Sequence, residues 1–199
     1  MRKVKLLFLV LVTLGLGACG GTMMKAPTQQ IKPPSSGKAT IVFMRTSFVA
    51  GAIGVEMLET TKGDLKFVGN LAMGDKIAYE TTPGKKEFMA YGIAADFMLA
   101  NVESGKTYYV IVRPNWGTGG FAPTPVRHST SKYNMAMPEF KEWVSDTDLV
   151  IPGPDTATWF AEKKPELEEV YKEYWARFQT KTPEQIAERT LNPEDGVPK

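Results

Sequence analysis

An antiparallel β-sandwich of about seven or eight strands, followed by C-terminal helices, is the fold class this sequence predicts. Two observations point to it. Between residues 38 and 128, short apolar runs recur about every 8 to 12 residues, divided by turn signals. Past Met135 the composition turns toward helix, and residues 166–179 place apolar side chains at spacings of three and four. With 199 residues the chain is long enough for one medium domain with a substantial core, plus appendages.

The N-terminal stretch reads as a secretory signal. Arg2, Lys3 and Lys5 precede an apolar run over residues 6–16, and small residues follow it. That run is shorter than the roughly 20 residues a membrane-spanning helix needs. Leu16-Gly17-Ala18-Cys19 looks like a bacterial lipobox, which implies cleavage after Ala18 and lipidation of Cys19. Removing Arg2, Lys3 and Lys5 from the 24 basic residues leaves 21 against 22 acidic ones, so the expected mature chain carries a net charge of about −1. A basic nucleic-acid surface is not expected from that balance. Cys19 is the single cysteine, so a lipidated chain holds no free thiol, disulfide or cysteine-ligated metal. Gly20 is not the aspartate that commonly retains such proteins in the inner membrane. The expected place is therefore the outer membrane, facing the periplasm.

Four segments follow from this reading: a signal peptide over 1–18, the lipidated cysteine and a flexible tether over 19–37, a sandwich domain over 38–134, and a linker with a helical region over 135–199. The tether contains Pro27, Pro33 and Pro34 among polar residues and has no apolar periodicity. Flexible chain of that length averages roughly 25 Å end to end. Strands are expected at residues 39–45, 55–59, 65–69, 76–81, 85–91, 96–102 and 107–113. Between them lie Lys62-Gly63-Asp64, Thr82-Pro83-Gly84 and Glu103-Ser104-Gly105-Lys106, where proline fixes φ and glycine tolerates positive values. Tyr108, Val110 and Val112 fall on one face of the last strand and Tyr109, Ile111 and Arg113 on the other. Such a strand is apolar on both sides along most of its length, which suits a central position.

After Gly117-Thr118-Gly119-Gly120, residues 138–143 suit one or two helical turns, and Pro152-Gly153-Pro154 interrupts regular structure. Asp155 is placed to cap a helix that Pro165 either kinks or restarts. Leu167, Val170, Tyr171, Tyr174 and Phe178 share its apolar stripe. Thr182-Pro183-Glu184-Gln185 has the form of a capping box, and the tail from Asn192 reads as polar and frayed.

The lipobox, the polar tether, the 39–45 strand, Pro83-Gly84-Lys85 and Gly105-Lys106-Thr107-Tyr108-Tyr109-Val110 together resemble a group of small bacterial envelope lipoproteins carrying a domain of unknown function with a PEGA-like β-sandwich core. The resemblance covers residues 38–128 and implies fold and location, with no activity attached.

No residue pattern specifies a reaction, and the chain is read as non-enzymatic. His128, the single histidine, lies too close to Ser129 in sequence for an easy nucleophile–base pair and reads as a surface or strand-end residue. Ser129-Thr130-Ser131-Lys132 matches an S-x-x-K pattern without its companion elements. The glycines at 117–120 lack the lysine and strand–helix context of a phosphate cradle. Asp146, Asp148 and Asp155 lack the spacing of a calcium loop, no zinc pattern is present, and no cofactor is expected.

The surplus of aromatic residues is the informative remainder. Tyr109, Trp116, Phe121 and Tyr133 lie around one end of the central strand and suit a stacking platform. Trp175, about 100° from Tyr174, falls at the flank of the helical stripe and is expected to remain free for a partner. The expected function is a membrane-anchored interaction module, held by the lipid on Cys19 and binding an envelope protein. A glycan- or peptidoglycan-binding lipoprotein is the alternative, an envelope enzyme a weaker one, and no nucleic-acid partner is expected.

Overall fold

The computed structural model describes residues 22–128 and 131–198. In chain order these form β1 (Met23–Lys25), β2 (Ala39–Met44), β3 (Val55–Glu59), β4 (Lys66–Leu71), β5 (Asp75–Thr81), β6 (Gly84–Tyr91), β7 (Ala95–Val102), β8 (Lys106–Asn115) and β9 (Gly120–Val126). Then come α1 (Pro138–Ser145), β10 (Asp148–Pro152), α2 (Thr156–Phe178), α3 (Pro183–Glu188), β11 (Thr190–Leu191) and β12 (Val197–Pro198). The signal segment, Cys19 and Ser129 lie outside the described residues. Among the described residues no helix is long and apolar enough to cross a membrane.

Two sheets face each other, as the alternating apolar runs predict. One runs β1-β10-β5-β2-β8-β12, with β9 also on β8, and the other runs β11-β7-β6-β3-β4. β8 is central: β2 lies on one edge, and β9 and β12 share the other. Tyr108, Val110 and Val112 enter the core between the sheets with Ile41, Phe43 and Phe88. The sheets are mixed, because β2 pairs β8, β10 pairs β5 and β11 pairs β7 in parallel. Each parallel pair joins segments distant in the chain, which hairpin-length turns do not announce.

A third layer lies outside the five-stranded sheet. α2 crosses it from β4 to β7, with Phe67 meeting Trp159 at 5.1 Å and Phe97 meeting Trp175 at 5.0 Å. Leu58, Leu65, Met89, Phe97, Leu167 and Phe178 form this second core. The helix runs unbroken through Pro165. On the outer face of the other sheet, α1 sets Phe140 edge-on to Tyr109 at 5.1 Å. The buried Lys76 donates to the carbonyls of Val144 and Thr147 at the end of α1, where a cation complements the helix dipole.

Three expectations are corrected. The stretch assigned to a tether is built into the fold from Thr22 onward: β1 pairs β10, the Gln29 side chain bonds both the amide and the carbonyl of Leu149, and Ser35 donates to Glu80. The boundary at 134/135 does not separate independent units, since β10, β11 and β12 complete sheets begun before it. The tail does not fray. Asp195 is buried against Arg127 at 2.8 Å, and β12 pairs β8. The capping box stands as read, with Thr182 Oγ1 accepting from the Gln185 amide and Gln185 Oε1 accepting from the Thr182 amide.

Candidate functional site

Strand directions sort the loops into two groups. β2 and β8 end where β5 begins, because β2 is parallel to β8 and antiparallel to β5. β4 and β6 likewise end where β3 and β7 begin. The connections β2–β3, β4–β5, β6–β7 and β8–β9 therefore meet at one end of the sandwich. Each carries one large exposed apolar side chain: Phe48 (82 % exposed), Met73 (50 %), Ile93 (59 %) and Trp116 (81 %). Four such residues on four converging loops exceed the scattered single exposures usual on a soluble surface.

These loops stand on a close-packed base. A β-carbon at Gly120 would overlap the Ala94 carbonyl, one at Gly92 would come within 3.0 Å of the Phe121 ring, and one at Gly51 within 3.2 Å of Met73 Sδ. Each loop is thus in van der Waals reach of the next. At the centre lies Arg45, fully buried, donating to the carbonyls of Ala50 (2.9 Å), Leu71 (2.8 Å) and Ile53. Its guanidinium sits 4.5 Å over the Phe121 ring. Burial pushes the Arg45 pKa below its ordinary value, with the Asp75 charge opposing. Ala50 adopts φ = 53°, a left-handed conformation unfavourable for a residue with a β-carbon, and the Arg45 bond to its carbonyl holds that turn. The loop presenting Phe48 is therefore pre-shaped, which lowers the ordering cost of binding.

The structure separates the residues that the sequence grouped together. Trp116 is at the loop end and open. Phe121 is buried beneath Arg45 and offers no stacking face, a correction whose cause is that β9 runs inside the packed base. Tyr109 is partly buried under Phe140, and Tyr133 lies by Arg113 (5.2 Å) and Trp143 (6.3 Å), so neither extends a platform with Trp116. Trp175 is not left free. It is half-buried, edge-on to Phe97 and stacked between Tyr171 and Phe178 at 5.9 and 5.4 Å, because the sheet reaches the flank of the stripe as well as its centre. Sequence reasoning missed Arg45, Phe48, Met73 and Ile93. The available signal was an apolar residue flanked by turn formers, as in Ala72-Met73-Gly74 and Gly92-Ile93-Ala94.

His128 is exposed, and Asp148 is paired with Lys25 at 2.6 Å. No group of three or more His, Cys, Asp or Glu side chains suited to a metal ion occurs among the described residues. Apolar tips on a rigid base can dock an apolar surface. They offer no nucleophile, acid or base. No protein-family model matches this chain, and no curated protein is significantly similar to it.

Proposed function

We infer that this chain is a lipoprotein of the bacterial envelope, anchored through Cys19, that holds out its four-loop end to a protein partner. The observation that carries this reading is the position of Phe48, Met73, Ile93 and Trp116 relative to the start of the described chain. Thr22 leads into β1, which is antiparallel to β10, itself parallel to β5. Thr22 therefore lies where β5 ends, at the end of the sandwich opposite the four loops. Its carbonyl is fixed there by the Gly153 amide at 2.9 Å and by the Thr156 hydroxyl. Three residues of chain from Cys19 reach at most about 11 Å. An acyl group at Cys19 would seat that end on the bilayer and turn the loop tips away from it, toward other envelope proteins. Apolar and aromatic anchors at a pre-shaped surface are the usual energetic centre of a protein interface. A kinship with PEGA-like lipoproteins accords with this reading and belongs to the same proposal.

The open ring of Trp116 also supports a second reading, glycan or peptidoglycan binding, since an exposed indole stacks on sugars. Both readings are tested with a photo-crosslinking residue in place of Ile93 in cells, alone and with Phe48→Ser plus Trp116→Ser. The expected result is one protein adduct that disappears in the double variant while membrane fractionation is unchanged. An adduct that survives the double substitution excludes this end as the interface. Retention by isolated cell wall that Trp116→Ala alone abolishes, with no protein adduct, replaces the first reading with the second.

A further inference from the structure

A second feature lies on the flank of the sandwich, below the β8–β9 connection. A cleft of about 360 Å³ opens between β8, β9, the 131–133 segment and the end of α3, lined by Arg113, Arg127, Lys132, Tyr133 and Arg189, with Glu188 at its exposed rim. Arg113 Nε and Arg189 Nη1 both donate to the Thr124 hydroxyl, each at 3.1 Å, so two guanidiniums converge on one small neutral acceptor. Arg189 is 7 % exposed, and its Nε has no acceptor among the described residues. Its carboxylate neighbour, Asp96, is 3.4 Å away and is shared with Lys181. Arg127 is neutralised by Asp195 at 2.8 Å and bonds the carbonyls of Ala187 and Thr190, which fixes the cleft wall. Arg113 and Lys132 have no carboxylate within ion-pairing distance among the described residues; both lie against the Tyr133 ring, at 5.2 and 5.7 Å.

We propose that this cleft is a binding site for the phosphate group of a small ligand, held by Arg113, Arg189 and Lys132 with Tyr133 as the side wall. Asp96, shared between Arg189 and Lys181, compensates the converging guanidiniums only in part, and an oxyanion entering the cleft beside Arg113 would complete the compensation. Guanidinium forks match phosphate oxygens in a bidentate way that a lysine pair does not. Burial lowers the Arg189 pKa, Asp96 raises it and the Arg113 charge lowers it, so an incoming anion restores what the site's construction removes. The cleft volume falls in the range of sites for small molecules. The Tyr133 ring leaves one wall apolar, which suits a phosphate joined to a compact carbon skeleton. None of its lining residues lies on the four loops, although Arg189 is linked to the β8–β9 connection through Asp96, which accepts from the Asn115 side chain at 2.8 Å.

The test is a titration of the full chain in non-ionic detergent, followed by calorimetry and by the arginine side-chain N–H signals in NMR. The probes are inorganic phosphate, glycerol 3-phosphate and short-chain phosphatidylglycerol. Saturable phosphate binding that shifts the Arg189 Nε–H signal, and that weakens about tenfold in Arg113→Gln, is the expected result. Lys132→Ala, an exposed position outside the fold's support, is expected to weaken it about threefold and keeps the test valid if Arg113→Gln misfolds. Tighter binding of glycerol 3-phosphate than of the lipid assigns the site to a soluble ester, and the reverse order assigns it to a headgroup. Binding unchanged in both variants, or shifts spread over exposed lysines while Arg189 stays still, overturns the proposal.

Discussion

Glu56 shows how much a single side chain can do without touching the candidate site. It lies on β3 with its Oε2 buried and without a hydrogen-bond partner among the described residues. Burial pushes its carboxyl above the ordinary 4.5; Lys163 opposes this and Glu166 adds to it. Burial likewise raises Glu87, Asp75 and Asp195, although an amide donates to each of the two aspartates. A carboxyl whose folded pKa exceeds its unfolded value binds its proton more tightly in the folded chain. Stability therefore rises as pH falls from neutrality through the raised values, and the gain is complete only near the unfolded values, 4.5 for the glutamates and 3.8 for the aspartates. Glu80, lowered by its bonds from Ser35, acts in the opposite sense, and does so as pH falls through and below 4.5. The urea midpoint is expected to increase between pH 7 and pH 5. Glu56→Gln is expected to raise the midpoint at pH 7 and flatten its dependence on pH. A midpoint that falls over this range in the unmodified chain would contradict the assignment. None of this was legible in the sequence, where Val55-Glu56-Met57 reads as ordinary alternation. The cost arises only when α2 is laid over the outward face.

At the scale of elements, α2 shows what periodicity reveals and what it conceals. Leu167, Val170, Tyr171, Tyr174 and Phe178 were legible as one stripe, and the helix does bury that stripe. What periodicity left open was the width of the contact. A sheet presenting Phe97 beneath the helix reaches a residue 100° off the stripe, so Trp175 packs where a narrower partner would leave it free. Trp175→Ala is expected to cost about 2 kcal/mol, less than a fully buried tryptophan because one face stays in solvent. The loop-tip cross-link should persist. Loss of that cross-link without loss of stability would place the interface on the helix instead. The polar 22–37 segment misleads for a related reason. Its proline content and lack of periodicity match a tether, yet a strand at a sheet edge needs only backbone groups and a few side-chain amides, such as Gln29, to dock. Neither leaves an apolar pattern in the sequence. The three parallel pairings are hidden in the same way, since each is fixed by the return path of the chain.

The whole molecule is tied together by its last residues. β11 adds to β7 in one sheet and β12 to β8 in the other, so the chain end joins both sheets after α2 has crossed the outer face. Arg127 reaches Asp195, Ala187 and Thr190 in that final segment, and Gly196 lies so close to Tyr108 that a β-carbon there would come within 2.7 Å of the ring. A helical region that were only appended would be removable; this one carries half of the second core. A chain ending at Gly153 loses the helical side chains that cover Leu58, Met89 and Phe97 on the outer face, together with the strands that finish two sheet edges. Its expected behaviour is loss of cooperative unfolding and strong binding of an apolar dye. The full chain should unfold in one step, with far-ultraviolet circular dichroism and tryptophan fluorescence giving coincident curves. The fluorescence reports on both layers: Trp159 and Trp175 lie on α2, whereas Trp116 lies between β8 and β9 and Trp143 on α1. If the truncated chain kept a sharp transition at the full-length midpoint, the sandwich would be an independent unit and the C-terminal layer a passenger. If the two curves separated in the full chain, the second core would melt on its own, and the loop-tip end would survive without the helix that now braces its sheet.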